Sequence, residues 1–189
     1  CIRDRHQIDL PYSSAAEVER AYDFEDLQSF LDLYYLGASV LIDEDDFYSL
    51  MIRYLERCRD EGIVHTEMMF DPQTHTERGI DFSVFMSGFG RAMEDAKRQW
   101  GQSSLLIMCF LRHLPEESAF ETLKAAEPFK SQISSVGLDS SELGHPPEKF
   151  ERVYAAAGKQ GYRLVAHAGE EGPPTYILEA LDRLKVERC

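Results

Sequence analysis

The sequence predicts an α/β protein built on a parallel sheet. Three features predict it. Apolar runs alternate with amphipathic stretches along the chain. The runs are nearly continuous in apolar residues, as strands covered on both faces require. Each run is followed by a helix-like segment, and successive runs start about 30 to 40 residues apart. A doubly wound open sheet and a (β/α)8 barrel both fit this order. With no linker and no low-complexity stretch, residues 1–189 read as a single domain.

Residues 25–40 predict a helix, with Leu27, Phe30, Leu31, Tyr34 and Tyr35 at helical spacing. Residues 43–60 predict another. Its acidic start suits the positive end of a helix dipole, Phe47, Leu50, Met51, Tyr54 and Leu55 form one stripe, and Gly62 closes it. The tyrosine-bearing stretch across these two helices reads as a core face. IVHTEMMF, residues 63–70, predicts the first strand, and residues 82–100 return to helical spacing. SLLIMCFLRH, residues 104–113, predicts the second strand, and a helix follows over 115–126, opened by Pro115. ISSVGLD (133–139) predicts a strand, 146–161 a helix, YRLVAHA (162–168) a strand, and 173–185 a last helix entered through prolines.

Twenty Lys and Arg against 34 Asp and Glu give a net charge of −14. That argues against a nucleic-acid backbone or an anionic membrane as the natural partner, since both need a basic surface. The sequence holds no apolar run of about 18 residues. The opening CIRDRHQIDLPY is charged and lacks the apolar core of a secretory leader. Cys1, Cys58, Cys109 and Cys189 are scattered and read as thiols without a role, which suits a reduced compartment; the expected location is the cytoplasm.

Each predicted strand runs out into polar residues. The first gives Glu67, Asp71 and His75, the second Arg112 and His113, the third Asp139, Ser140, Ser141 and Glu142, the fourth His167, Glu170 and Glu171. Sites in parallel α/β folds lie at the carboxyl ends of the strands, and four strands feeding one rim favour the barrel. His167 offers a neutral imidazole suited to a metal, and Glu170, three residues on, can hand a proton to a substrate held there. The plainer reading is a strand-end histidine and a solvated glutamate. Asp139 can ligate, cap the next helix, orient a pocket or simply form a turn. Arg112 and His113 support a site or bond loop carbonyls. His75 reads as a loop histidine, and His6, His65 and His145 stay unassigned. The sequence contains no GxGxxG, no GxxxxGK[ST], no GxSxG and no PCxxC.

AHAGEEGPP (166–174), VGLDSSELGHPPEKF (136–150), CFLRHLP (109–115) and MMFDPQTHTERG (68–79) together resemble the adenosine/adenine deaminase family of the metal-dependent hydrolase superfamily. The resemblance runs over essentially the whole chain. LDSSELG and FDPQTH are similar to the bacterial and fungal adenine deaminase branch. It implies a zinc-bearing (β/α)8 barrel, of which about strands 2–5 are present, that hydrolyses the exocyclic amine of a purine. By the same resemblance His167 is a zinc ligand and Glu170 the proton donor to the ring nitrogen beside the attacked carbon. Asp139, Ser140, Glu142, Arg112 and His113 fall in the substrate pocket or just behind it. The implied reaction is adenine to hypoxanthine and ammonia, in purine salvage, with adenosine as the alternative substrate and a non-catalytic barrel as the rival.

The family's HxH pair of the first strand, its histidine of the sixth and its paired aspartates of the eighth have no counterpart in residues 1–189, so the chain reads as an internal segment of a longer protein. A partial barrel leaves sheet edges unpaired and one core face uncovered. A zinc ion held by one protein ligand binds weakly, because such sites use three or four. The isolated segment is therefore expected to be inactive and to aggregate. Stoichiometric tight zinc with turnover in the isolated segment would refute this.

Overall fold

The computed structural model describes residues 2–189. Four strands, β1 (His65–Phe70), β2 (Ser103–Leu111), β3 (Ile133–Asp139) and β4 (Arg163–Leu164), form one sheet in chain order with every neighbouring pair parallel. Sequential order with a helix after each strand is the arrangement of a barrel wall and not of a doubly wound sheet. Before β1 lie α1 (Ile2–His6), α2 (Ala15–Ala21), α3 (Leu27–Ala38) and α4 (Glu44–Asp60). After it come α5 (Pro72–Thr76), α6 (Phe82–Trp100), α7 (Glu116–Ala125), α8 (Glu151–Lys159) and α9 (Pro174–Asp182). Among the described residues no helix is long and apolar enough to cross a membrane.

The sheet has two unlike faces. In β1, Thr66, Met68 and Phe70 are buried and alternate with exposed His65, Glu67 and Met69. Met68 and Phe70 join Leu106, Met108, Phe110, Val136 and Leu138 in the main core. Phe47, Met51 and Leu55 of α4 and Phe85, Phe89 and Ala92 of α6 cover it. Residues of the opposite parity point to the other face, where Ile107, Cys109 and Val165 form a separate small cluster. That face is partly open: Met69 and Leu105 are each 41% exposed.

The end of the sheet departs from the sequence reading. The ladder of β4 covers two residues, not seven. Beyond it, single bonds continue the pairing, Val165 N–H to Val136 O at 3.0 Å and His167 N–H to Leu138 O at 2.9 Å. On its far side Val165 bridges Arg188 in parallel, so the last residues of the chain begin a fifth strand position. The helix expected over 146–161 opens as a 3-10 turn, Pro147–Phe150, and the α-helix proper starts at Glu151. Cys58 and Cys109 are buried free thiols and Cys189 an exposed one; Cys1 lies outside the described residues.

His75 stands on α5 and not in a loop. Its ring lies edge-on to Phe47, with centroids 4.8 Å apart, and its Nδ1 is 3.0 Å from the Arg78 guanidinium. Arg78 also donates to the carbonyls of Ala38, Ser39 and Leu41, tying the end of α3 to α5. Burial, and then the Arg78 charge, push the His75 imidazole from 6.5 down to about 4. Its folded-state value is depressed, so its contribution is present above about pH 6.5 and is lost as pH falls through 4. At about 1.4 kcal/mol per unit the loss totals roughly 3 kcal/mol. Urea unfolding of the full-length protein is expected to lose stability across this window, and His75→Gln to flatten that slope; an unchanged slope would show that His75 is not its source.

Candidate active site

The carboxyl ends of the strands meet beneath α3. Between them lies a cavity of about 210 Å³, lined by Leu27, Phe30, Leu31, Tyr34 and Tyr35 above and by Met69, Asp71, Asp139, Ser140, His167 and Glu170 below. The lining joins residues from β1, β3 and the turn after β4. The helical spacing of α3 thus serves a roof as well as a core: Leu31 is buried, but Tyr34 is 40% exposed and faces the strand ends.

His167 and Glu170 stand side by side, with Nδ1 3.7 Å from Glu170 Oε2. Both side chains are close to half exposed. His167 Nε2 meets the thioether sulfur of Met69 at 3.1 Å. An imidazole at a strand end with a carboxylate beside it fits a metal as one ligand. It does not make a site alone, since His167 belongs to neither His/Cys/carboxylate donor cluster of the described residues. One of those clusters is taken up in structure: Asp46 accepts from Arg5, from the backbone N–H groups of Ile42 and Asp43, and pairs with His6.

In the other cluster, Asp71 and Asp139 line the cavity floor and Cys109 is buried beside them. Burial raises the Asp71 carboxyl; burial and then the Asp71 charge raise Asp139 well above the usual range. Two acids so close retain one proton between them. Tyr34 donates its hydroxyl to Asp71 at 3.3 Å. Tyr35 donates to Ser140 Oγ at 2.7 Å, and Ser140 in turn lies 2.9 Å from His113 Nδ1. Burial, reinforced by Asp71 and Asp139, holds both tyrosines in the phenol form.

Arg112 and Glu142 lie deeper, outside the cavity lining. Arg112 is 0% exposed and Glu142 1% exposed. The Arg112 guanidinium donates to His145 O at 3.0 and 2.9 Å and to His167 O at 2.9 Å, and stands 3.5 Å from Glu142. Glu142 accepts the N–H groups of Gly169, Glu171 and Gly172 at 2.7, 2.8 and 2.7 Å. Burial opposes the charge on Glu142, but these three N–H groups and Arg112 more than offset it and hold the carboxyl below its ordinary range.

The cavity therefore gathers Asp139, Ser140, His167 and Glu170, with His113 behind Ser140 and Arg112 and Glu142 beneath the turn. Sequence reading puts Tyr34 and Tyr35 in a core face and Cys109 among thiols without a role, and gives no role to Met69 or Asp71. Asp71 had a signal: it follows β1 as directly as Asp139 ends β3. Glu67 shares the sheet face of Met69 but does not line the cavity; it pairs with Arg188.

A profile of the adenosine deaminase family matches residues 2–189. The chain is 59% identical over 187 residues to an adenine deaminase of Acinetobacter baylyi, covering 99% of this chain and 56% of that protein. The crystal structure of an adenine deaminase from Arthrobacter aurescens superposes with a TM-score of 0.96 at 47% identity, covering 99% of this chain and 57% of that one. An amidohydrolase from Burkholderia ambifaria, solved with bound zinc, superposes at 0.84 and 27% identity, covering 93% and 50%. The chain thus spans a little over half the length of these adenine deaminases.

The shared proton of the Asp71–Asp139 pair can be tested. Raised carboxyls make the folded state hold a proton that the unfolded chain releases above about pH 4, so stability is lost as pH rises toward the folded-state value. Asp71→Asn offers Asp139 an amide N–H instead. In the full-length protein it is expected to gain on the order of 1 kcal/mol at pH 8 and less at pH 5.5, read from urea midpoints. An equal shift at both pH values would remove the shared proton.

Proposed function

Because the chain belongs to the adenosine deaminase family, we propose that the longer protein to which it belongs is a zinc-dependent purine aminohydrolase converting adenine and water to hypoxanthine and ammonia. Family membership implies a metal, and the zinc-bound amidohydrolase supports zinc. The observation that carries the reading is the pairing of His167 with Glu170 at the mouth of a small roofed cavity.

His167 is the one zinc ligand this segment supplies, and the remaining ligands come from the longer protein outside residues 1–189. Zinc, when bound, supplies the Lewis acidity that makes a water nucleophilic near neutral pH. Glu170 starts as the acid. It donates its proton to the purine ring nitrogen beside C6, so that the electron pair of that ring C=N bond moves onto nitrogen as the water oxygen bonds to C6. When the exocyclic C6–N bond then breaks, one proton of that water leaves on the amino group as ammonia and the other returns to Glu170. Phe30, Leu31 and Tyr34 close the cavity from above and limit competing water. Ser140 and Asp139 border the base, and His113 fixes the Ser140 hydroxyl.

Adenine is favoured over adenosine by the LDSSELG and FDPQTH motifs and by the adenine deaminases at 59% and 47% identity. The partner is thus a small purine. The scattered thiols and acidic charge suit a cytoplasmic salvage enzyme.

The test is ammonia release from adenine and adenosine, measured side by side on the zinc-loaded full-length protein. Release from adenine with little from adenosine is the expected result, and Glu170→Gln is expected to lower kcat by about 10²- to 10⁴-fold. Preference for adenosine would overturn the substrate, and release from neither would overturn the enzyme.

A further inference from the structure

The turn that carries Glu170 has no secondary structure of its own. It begins where the β4 pairing ends at His167 and finishes at Pro173, which opens α9. A turn of this kind leaves backbone N–H groups without partners, and a donor on it would wander by more than proton transfer tolerates. Here three of those N–H groups, from Gly169, Glu171 and Gly172, converge on one carboxylate. Glu142 Oε1 takes the first and Oε2 the other two. Glu170 lies between them, its side chain turned the other way into the cavity.

We infer that Glu142 is a positioning residue: its buried carboxylate gathers the turn 169–172 and thereby aims Glu170 at the substrate. This deepens the reading of Glu170 as proton donor and rests on it. Glu142 is 1% exposed and does not line the cavity, so it acts through Glu170 and not on the purine. Arg112 ties the same carboxylate to the carbonyl of His167, so the candidate ligand and the candidate acid are referred to one buried charge pair.

The local sequence agrees with this role. Gly169 has φ +76°, a conformation glycine adopts freely, and a Cβ at Gly172 would stand 2.9 Å from Glu142 Cδ. The turn must be bare there to close on the carboxylate. Both oxygens are needed. Glutamine would turn an NH2 group toward one set of N–H donors, and aspartate would fall short by one methylene. Bonds to a charged acceptor are about twice as strong as neutral ones. An error of about 1 Å in aim costs about 10²-fold in rate.

The experiment is a double-mutant cycle on the zinc-loaded full-length protein with Glu142→Gln and Glu170→Gln. Expected for E142Q alone is a kcat on adenine lower by about 10- to 100-fold, KM within about threefold, and unchanged zinc content by elemental analysis. Added to E170Q, the same substitution is expected to cost less than about threefold more, since the donor it aims is gone. Amide exchange is expected to quicken at 169, 171 and 172 while the core strands stay protected. E142D keeps the charge facing Arg112 and carries the same cycle should E142Q fail to fold. An equal loss of kcat with and without Glu170, a loss confined to KM, or a turn that exchanges no faster overturns the assignment. Absence of turnover in the unmutated protein overturns the parent reading instead, and this inference with it.

Discussion

An arginine and a glutamate taken wholly out of water hold the candidate site in place. Removing two such charges from solvent costs several kcal/mol each, and their attraction alone does not offset it. The structure meets the cost with directed bonds: Arg112 donates three, to His145 and His167 carbonyls, and Glu142 accepts three from the turn after β4. None of these is a ladder bond. They hold backbone that has left the sheet and would otherwise be buried without partners. Losing either partner would strand the other as a lone buried charge, at about 3–5 kcal/mol.

The placement of that pair follows from the two faces of the sheet. Period-2 alternation sends Met68, Phe70, Met108 and Phe110 to the helices, and Met69, Cys109, Asp139 and His167 to the other side. The helix-covered face is a conventional apolar core. The other face carries the ionisable groups toward the carboxyl ends of the strands and remains partly open among the described residues. A chain spanning a little over half of its adenine deaminase relatives has half a wall around that interior.

Much of this was legible in the sequence because it is local. Helix α6 spans 82–100 and β3 spans 133–139, as their periodicity and flanking signals require: Asp81 caps the helix start, and Gly101 ends it in the left-handed region. Four polar strand ends were legible for the same reason. What could not be read is relational. The spacing of Tyr34 and Tyr35 gives an apolar stripe but not what it faces, so the roof looked like core. The Asp71–Asp139 contact spans a whole intervening strand, and no local pattern encodes that register. The grip of Glu142 on backbone 27 to 30 residues away leaves no mark on the sequence except two glycines. The extent of β4 was misread because apolar runs do not say where a ladder stops.

His167 and Glu170 are held by different means, and the difference suits their proposed tasks. His167 is fixed by the sheet, its N–H bonded to Leu138 O at 2.9 Å. A metal ligand gains from that rigidity. Glu170 lies past the end of the pairing, where only the Glu142 clasp fixes it from below. The next residue reaches upward: the Glu171 carboxylate accepts the Leu27 N–H at the first turn of α3, at 2.9 Å. A carboxylate there also complements the positive end of that helix. One short turn thus joins the buried charge pair to the helix roofing the cavity. Two hydrogen bonds, Leu27 N–H to the Glu171 carboxylate and Glu171 N–H to the Glu142 carboxylate, connect the roof to the turn that carries the acid.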